Sequence, residues 1–362
     1  MDAAAFFRKG QKRLKSCLWA ISFWNLSFMQ KYRAKQVGIY IITNVIKAIL
    51  LVIAISIVCF ILVSVSPVDP VRAYVGEVGM ANLSDAALQQ LNDYFGIGTP
   101  PVLRYWNWFK GFIRGDMGIS LIYRQPVISV IGVRFVNSMA LMITAWIISG
   151  VLGFVLGIIA GVRRGKPADK IIKGYSLILA STPSFWLALI LLMVFAVWLK
   201  WLPIGFSVPL GVDVADVTIF DTMRHLILPA VTLSVIGVAN IALHTREKMI
   251  DVMETDYVLY ARARGESTIQ ILKNHGLRNI LLPAITLQFA SISEIFGGSV
   301  LVEQVFSYPG LGNAAVSAGL SGDVPMLLGV AVISAIIVFA GNLTANILYG
   351  VIDPRIRRGG AV

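Results

Sequence analysis

Apolar residues run along this chain in long blocks that neither alternate with a strand period nor form the narrow stripe of a surface helix. Six stretches are almost free of charge: 48–68, 135–162, 174–199, 225–245, 279–302 and 324–352. The first block begins earlier, near Val37, with Lys47 as a lone interruption, and the fifth contains one carboxylate, Glu294. A membrane helix needs about 20 apolar residues to cross about 30 Å of hydrocarbon, and each block is that long. Helices apolar on every face are buried in a large core or in a bilayer. The pattern predicts an all-α polytopic membrane protein with six transmembrane helices.

Composition agrees. Of 362 residues, 57% are hydrophobic and 14% charged, with a mean hydropathy of +0.78. Soluble domains average about 45–50% apolar and about 25% charged. Disorder is excluded by the hydrophobicity, and a disulfide scaffold by having only Cys17 and Cys59.

The net charge of +12 changes meaning once its distribution is read. Residues 1–36, 163–173, 246–278 and the tail after Ile352 hold 8, 5, 6 and 3 Lys/Arg, together 22 of the 31. The alternate short loops, 200–224 and 303–323, hold two and none. Basic loops mark the cytoplasmic side. Both termini are therefore expected in the cytoplasm, and nucleic-acid binding is set aside. The first apolar block is too long for a secretory h-region and reads as a retained span. Four segments follow: a cytoplasmic extension over 1–36, with an interfacial helix expected from Leu18, Trp19, Phe23, Trp24 and Phe28 among bases; the first span and a long outer loop over 37–136; a core of five spans over 137–352; and a tail over 353–362.

Local signals refine this frame. Gly153, Gly157 and Gly161 share a helix face and predict close helix packing. Pro183, within Thr182-Pro183-Ser184, predicts a kink in the third span. The loop 246–280 reads as a helix over 256–264 ended by Gly265. A second helix then starts at a Ser267/Gln270 capping box. Pro283 falls in the first turns of the span that follows. A helical hairpin is more than two spans need for their connection, so it is a docking surface or a solvated hairpin.

That hairpin resembles the EAA loop of ABC importer permeases. Ala261-Arg262-Ala263-Arg264-Gly265, followed by His275-Gly276-Leu277-Arg278-Asn279-Ile280-Leu281-Leu282-Pro283, is similar to the dipeptide/oligopeptide/nickel subfamily. Further matches occur in the family's order. They are Gly115-Asp116-Met117-Gly118-Ile119-Ser120, Pro183-Ser184-Phe185-Trp186-Leu187, His225-Leu226-Ile227-Leu228-Pro229-Ala230, the run GGSVLVEQVFSYPGLG from Gly297 to Gly312, and Asp353-Pro354-Arg355-Ile356-Arg357. Residues 1–36 have no counterpart, Asp323-Val324-Pro325 stands for Asp-Tyr-Pro, and Glu294 stands where an apolar or small residue is usual.

The resemblance implies the type I permease fold of ABC importers and half of a translocation pathway in a bacterial inner membrane. It implies a second, similar permease, two cytoplasmic ATPases and an external solute-binding protein. Peptide is the expected cargo, with nickel or a metal chelate as the alternative. By the same resemblance Ala261, Arg262, Ala263, Arg264 and Gly265 couple the chain to an ATPase. Arg262 and Arg264 either pair with acids there or are ordinary cytoplasmic charge. The outer helix expected over Ser84–Tyr94, with Gly96 after it, is a candidate contact for the binding protein.

The chain itself is expected to be non-catalytic and without a cofactor, ATP and Mg being bound by the partner ATPases. Gly161-Val162-Arg163-Arg164-Gly165-Lys166-Pro167 has three residues, not four, between its glycines, and proline where a phosphate loop needs Ser or Thr. Topology separates His225 from His244 and His275, so no bound metal is expected. Gly319-Leu320-Ser321-Gly322 matches a serine-nucleophile motif, but only His225 could serve as its base. An intramembrane serine protease, a passive channel and an exporter are therefore remote alternatives. Glu294 is costly in hydrocarbon and so a functional candidate: it lines the pathway and meets a cationic group, pairs with a partner subunit, or faces water.

Overall fold

A computed structural model describes residues 42–62, 64–65, 69–209, 211–212 and 216–352. The expected interfacial helix within 1–36 and the tail from Asp353 lie outside them. The chain divides into two compact units, 1–53 and 54–362, the boundary falling inside the first helix, α1 (Ile42–Leu62). The larger unit contains every other element.

The long loop after α1 is helical: α2 (Pro70–Val75), α3 (Glu77–Ala81), α4 (Asp85–Phe95) and α5 (Pro101–Ile113). Ser84 caps α4 by accepting from the Ala87 N–H at 3.3 Å, and Gly96 ends it at φ +65°. These are the signals expected there. Tyr105 on α5 hydrogen-bonds Ser56 on α1 (2.8 Å), and its ring meets Phe60 edge to face.

The framework is α6 (Val127–Val162) against α9 (Ile219–Met253). At 36 residues α6 is about 54 Å long, more than a bilayer requires. The glycine stripe lies in their seam. A Cβ on Gly153, Gly157 or Gly161 would sit 2.8 Å from Ile241 Cβ, 2.5 Å from Thr245 Cβ and 2.6 Å from Met249 Cβ. Only glycine allows that approach.

The third apolar block departs from expectation. It is a broken pair, α7 (Pro167–Ala180) and α8 (Ser184–Leu191), with α8 prolonged by a π-helical stretch, Leu192–Trp198; the bend is 109°. Pro183 therefore makes a sharp turn where a kink was expected. It has no N–H, and its extended ψ of 133° caps α8. The Ser181 and Thr182 hydroxyls bond back to the Leu177 and Ile178 carbonyls, sealing the end of α7.

After α9 come the helical hairpin, α10 (Asp256–Ala263) and α11 (Thr268–Ile271), then a π-turn over Leu272–Gly276 and α12 (Leu277–Ala290). α13 (Ile292–Val305) continues α12 with a 47° bend, and α14 (Leu311–Leu320) and α15 (Val324–Ile352) complete the chain. Pro283 is the seventh residue of α12, deeper than expected. Among the described residues four helices are long and apolar enough to cross a membrane, or six if each bent pair is one span.

Asp323, which the two patterns Asp-Val-Pro and Asp-Tyr-Pro share, anchors the turn before the last span. Its buried carboxylate accepts from the Met326 N–H (3.1 Å), the Ser120 hydroxyl (2.5 Å) and the Ile122 N–H (3.1 Å). It caps α15 and ties the loop before α6 to it.

Candidate coupling surface and translocation cleft

The hairpin begins where α9 ends. Gly265 turns the chain at φ +84°, a value that L side chains rarely adopt. Ser267 Oγ accepts from the Gln270 N–H (3.4 Å) while Gln270 Oε1 accepts from the Ser267 N–H (2.7 Å). The expected capping box is thus closed in both directions.

One face of the hairpin packs on the framework. Val258 and Ala261 are buried with Met249 and Val252 of α9, Ile271 of α11 and Ile280 of α12. The small side chain of Ala261, 2% exposed, therefore packs on the inner side of the hairpin. Arg262, Ala263, Arg264 and Gly265 are all exposed. Three apolar residues join them: Leu259, Tyr260 and Ile269 are 66%, 66% and 67% exposed. Arg264 lies over the Tyr260 ring at 6.0 Å. The exposed residues of the hairpin thus combine large apolar side chains with two guanidiniums, the composition of a protein interface.

Ion pairs tie the elements just ahead of the hairpin to one another. Asp169, near the start of α7, accepts from Arg246 Nε (2.5 Å) and Nη2 (3.0 Å), and from the Gly165 N–H (2.8 Å). Both side chains are below 10% exposed. Arg246 also contacts Glu247, and Arg164 pairs with Glu254 at the end of α9. Counted in the sequence only as orientation charge, these residues lock α7 to α9 just ahead of the hairpin.

Glu294 stands in the first turn of α13, immediately after the bend, and is exposed. It lines a cleft of about 400 Å³ between α9 and the α12–α13 bend. Asn240, His244 and Glu247, an exposed stripe of α9, line the opposite wall. Their spacing, four and then three residues, places them on one helix face. The Val238, Ile241, Ala242, Thr245 and Met249 positions of the same helix are buried on the α6 side. α9 is thus bipolar: close-packed on one side, polar and open on the other.

A second carboxylate, Glu303, was not singled out in the sequence because it lies just past the apolar run ending at Val302. It is fully buried. Oε1 accepts from the Ser138 hydroxyl (2.7 Å) and Oε2 from the Asn313 N–H (3.0 Å), while Ser138 Oγ accepts from the Leu311 N–H (2.8 Å). A Cβ on Gly310 would lie 2.3 Å from this carboxyl carbon. The glycines around Tyr308-Pro309 are there to admit the carboxylate.

The histidines stay apart. His225 Nδ1 bonds the Gly205 carbonyl (2.7 Å), His244 lines the cleft, and His275 lies 3.5 Å from Glu266. Ser321, at the end of α14, makes no hydrogen bond with a histidine among the described residues, which removes the support for a Ser–His pair.

Sequence and fold comparisons place this geometry in context. Residues 153–358 match the model of the binding-protein-dependent transport system inner membrane component, and residues 38–146 that of its N-terminal region. The chain is 36% identical over 320 residues to the oligopeptide transport system permease protein AppB of Bacillus subtilis (strain 168), covering 88% of this chain and 98% of that protein. It is 32% identical over 318 residues, with the same coverage, to the glutathione transport system permease protein GsiC of Escherichia coli (strain K12). Its fold is similar to a chain of the inward-facing MetNI methionine ABC transporter, with a TM-score of 0.51 at 16% identity, covering 62% of this chain and 96% of that one.

Proposed function

The chain belongs to the family of binding-protein-dependent transport system inner membrane components, and on that footing we propose that it is the peptide-importing permease subunit of an ATP-driven transporter. Peptide as cargo rests on the oligopeptide and glutathione permeases that it resembles along nearly their whole length. The single structural observation that supports the mechanism is the hairpin. A rigid, capped helix pair seats its inner face on α9 and α12 and leaves a patch of Leu259, Tyr260 and Ile269 unpartnered.

In this reading the patch, with Arg262, Ala263, Arg264 and Gly265, enters a groove on a cytoplasmic ATPase. Ala261 supports the patch from behind. ATP and Mg belong to two such ATPases, a second homologous permease completes the pathway, and an extracytoplasmic binding protein delivers cargo to the outer helices. Closure of the ATPases moves the hairpin as a body. The Asp169–Arg246 and Arg164–Glu254 pairs pass that movement to α7 and α9. Glu294 lines the route between the permeases.

Leu259→Glu with Tyr260→Glu tests the coupling face. Both side chains are exposed, so the chain should reach the membrane at its normal level. ATP-dependent uptake of a labelled oligopeptide by the reconstituted complex should fall about tenfold or more, as loss of interface anchors does. Unchanged uptake would remove the hairpin from the coupling role. Orientation has its own check. A cysteine replacing Thr268 should react with a membrane-impermeant maleimide only from the cytoplasmic side, and one replacing Val212 only from outside.

A further inference from the structure

We propose that the cleft between α9 and the α12–α13 bend receives the protonated amino group of the cargo. This rests on the peptide-import reading above and adds the chemistry that the route selects. Asn240, His244 and Glu294 make no side-chain hydrogen bond or ion pair among the described residues, although all three lie on membrane-spanning elements. An exposed polar stripe on such a helix faces water or protein, because hydrocarbon cannot satisfy it.

The charge is unbalanced. The Asp and Glu side chains that line the cleft are Glu247 and Glu294, with no Lys or Arg beside them in the lining; Arg246 touches Glu247 but is held in two bonds by Asp169, outside the cleft. Lys248 is held by Asp251 at 3.1 Å. Glu294 has no ion-pair partner among the described residues, and Glu247 shares its own, so the lining is acidic toward whatever enters. A cleft lined by one sign of charge concentrates the opposite ion. Among the described residues no three His, Cys, Asp or Glu side chains converge as metal ligands, so the walls suit a cation that is recognised through N–H donors. A primary ammonium has three. Asn240 Oδ1, Ser291 Oγ and the carboxylates supply acceptors. The amino terminus is the one cationic group common to unmodified peptides of any sequence, and this matches a route that must pass many side chains.

The experiment uses the reconstituted complex, with Cys17 and Cys59 replaced by serine and Asn240→Cys introduced. Thiol modification is compared for methanethiosulfonates carrying a trimethylammonium or a sulfonate, each corrected for its rate with a free thiol. The cationic reagent should react about tenfold faster than the anionic one. The preference should vanish when Glu247→Gln and Glu294→Gln are added. A cysteine at 268 measures the general surface potential and should keep its own smaller preference. Trialanine should slow modification at 240, and N-acetyl-trialanine should not. No reaction at 240 overturns the proposal, since lipid or a partner side chain then fills the cleft. Equal rates for the two reagents, a preference that survives both Gln substitutions, or protection by both peptides or neither also overturn it. Peptide import is measured separately, as ATP-dependent uptake by the parent complex, so failure of that reading is distinguishable.

Discussion

Asp169→Ala is expected to destabilise the chain by about 3 kcal/mol, with loss of uptake beyond what the reduced folded fraction explains. The substitution removes two charge-assisted bonds to Arg246 and the acceptor of the Gly165 N–H. Arg246 is then left with Glu247 alone. Orphaning a buried charge costs about 3–5 kcal/mol, and the remaining contact sets the value at the low end. A well-packed apolar pair often replaces a buried ion pair at no net cost. Asp169→Leu with Arg246→Met should therefore recover most of the thermal midpoint of the detergent-solubilised complex. Recovered stability with uptake still impaired would assign the pair to transmission between hairpin and spans. Recovery of both would make it a fold device only. An unchanged midpoint in Asp169→Ala would show that the pair holds nothing together.

That pair marks how far the sequence could be read. The long apolar helices followed from charge-free length, and the seam of α6 followed from glycines four apart, because both signals are local and one-dimensional. Gly265 and the Ser267/Gln270 box were legible for the same reason: a cap is a property of four neighbouring residues. Asp169 and Arg246 are 77 positions apart, and each already had an explanation as loop charge. Pro183 announced a break but not its angle, which depends on hydroxyls sealing one helix end while another begins. Of the hairpin residues expected to dock, Ala261 turned inward, and the outward-facing Leu259 and Tyr260 were not among those expected. A helix of eight residues is too short for periodicity alone to tell its faces apart. Glu294 stood out as the one charge in its apolar run. Its neighbours in the cleft come from a helix some fifty residues earlier, which only the fold could supply.

Glu303 carries the other large effect. Glu303→Leu is expected to cost about 2–6 kcal/mol, because it strips the acceptor from the Asn313 N–H and from the Ser138 hydroxyl. Each buried group left unmade costs about 1–3 kcal/mol. The damage should be local to the outer turn. Ser138 Oγ would lose the partner that orients it toward the Leu311 N–H, loosening the start of α14 from α6. Gly310 and Gly312, shaped around the carboxylate, would face a branched apolar side chain in the same space. Glu303→Gln is the informative contrast. Its Oε1 can still accept from Asn313, so stability should fall by less than half as much, measured as the thermal midpoint of the assembled complex. Glu294 predicts the opposite ranking. It is exposed and bonded to nothing in the described chain, so Glu294→Gln should leave the midpoint where it was and lower uptake at subsaturating peptide. Two carboxylates nine residues apart on one helix are thus expected to separate by experiment, one lowering stability when changed and the other lowering uptake alone. Equal behaviour of the two Gln variants would remove that distinction.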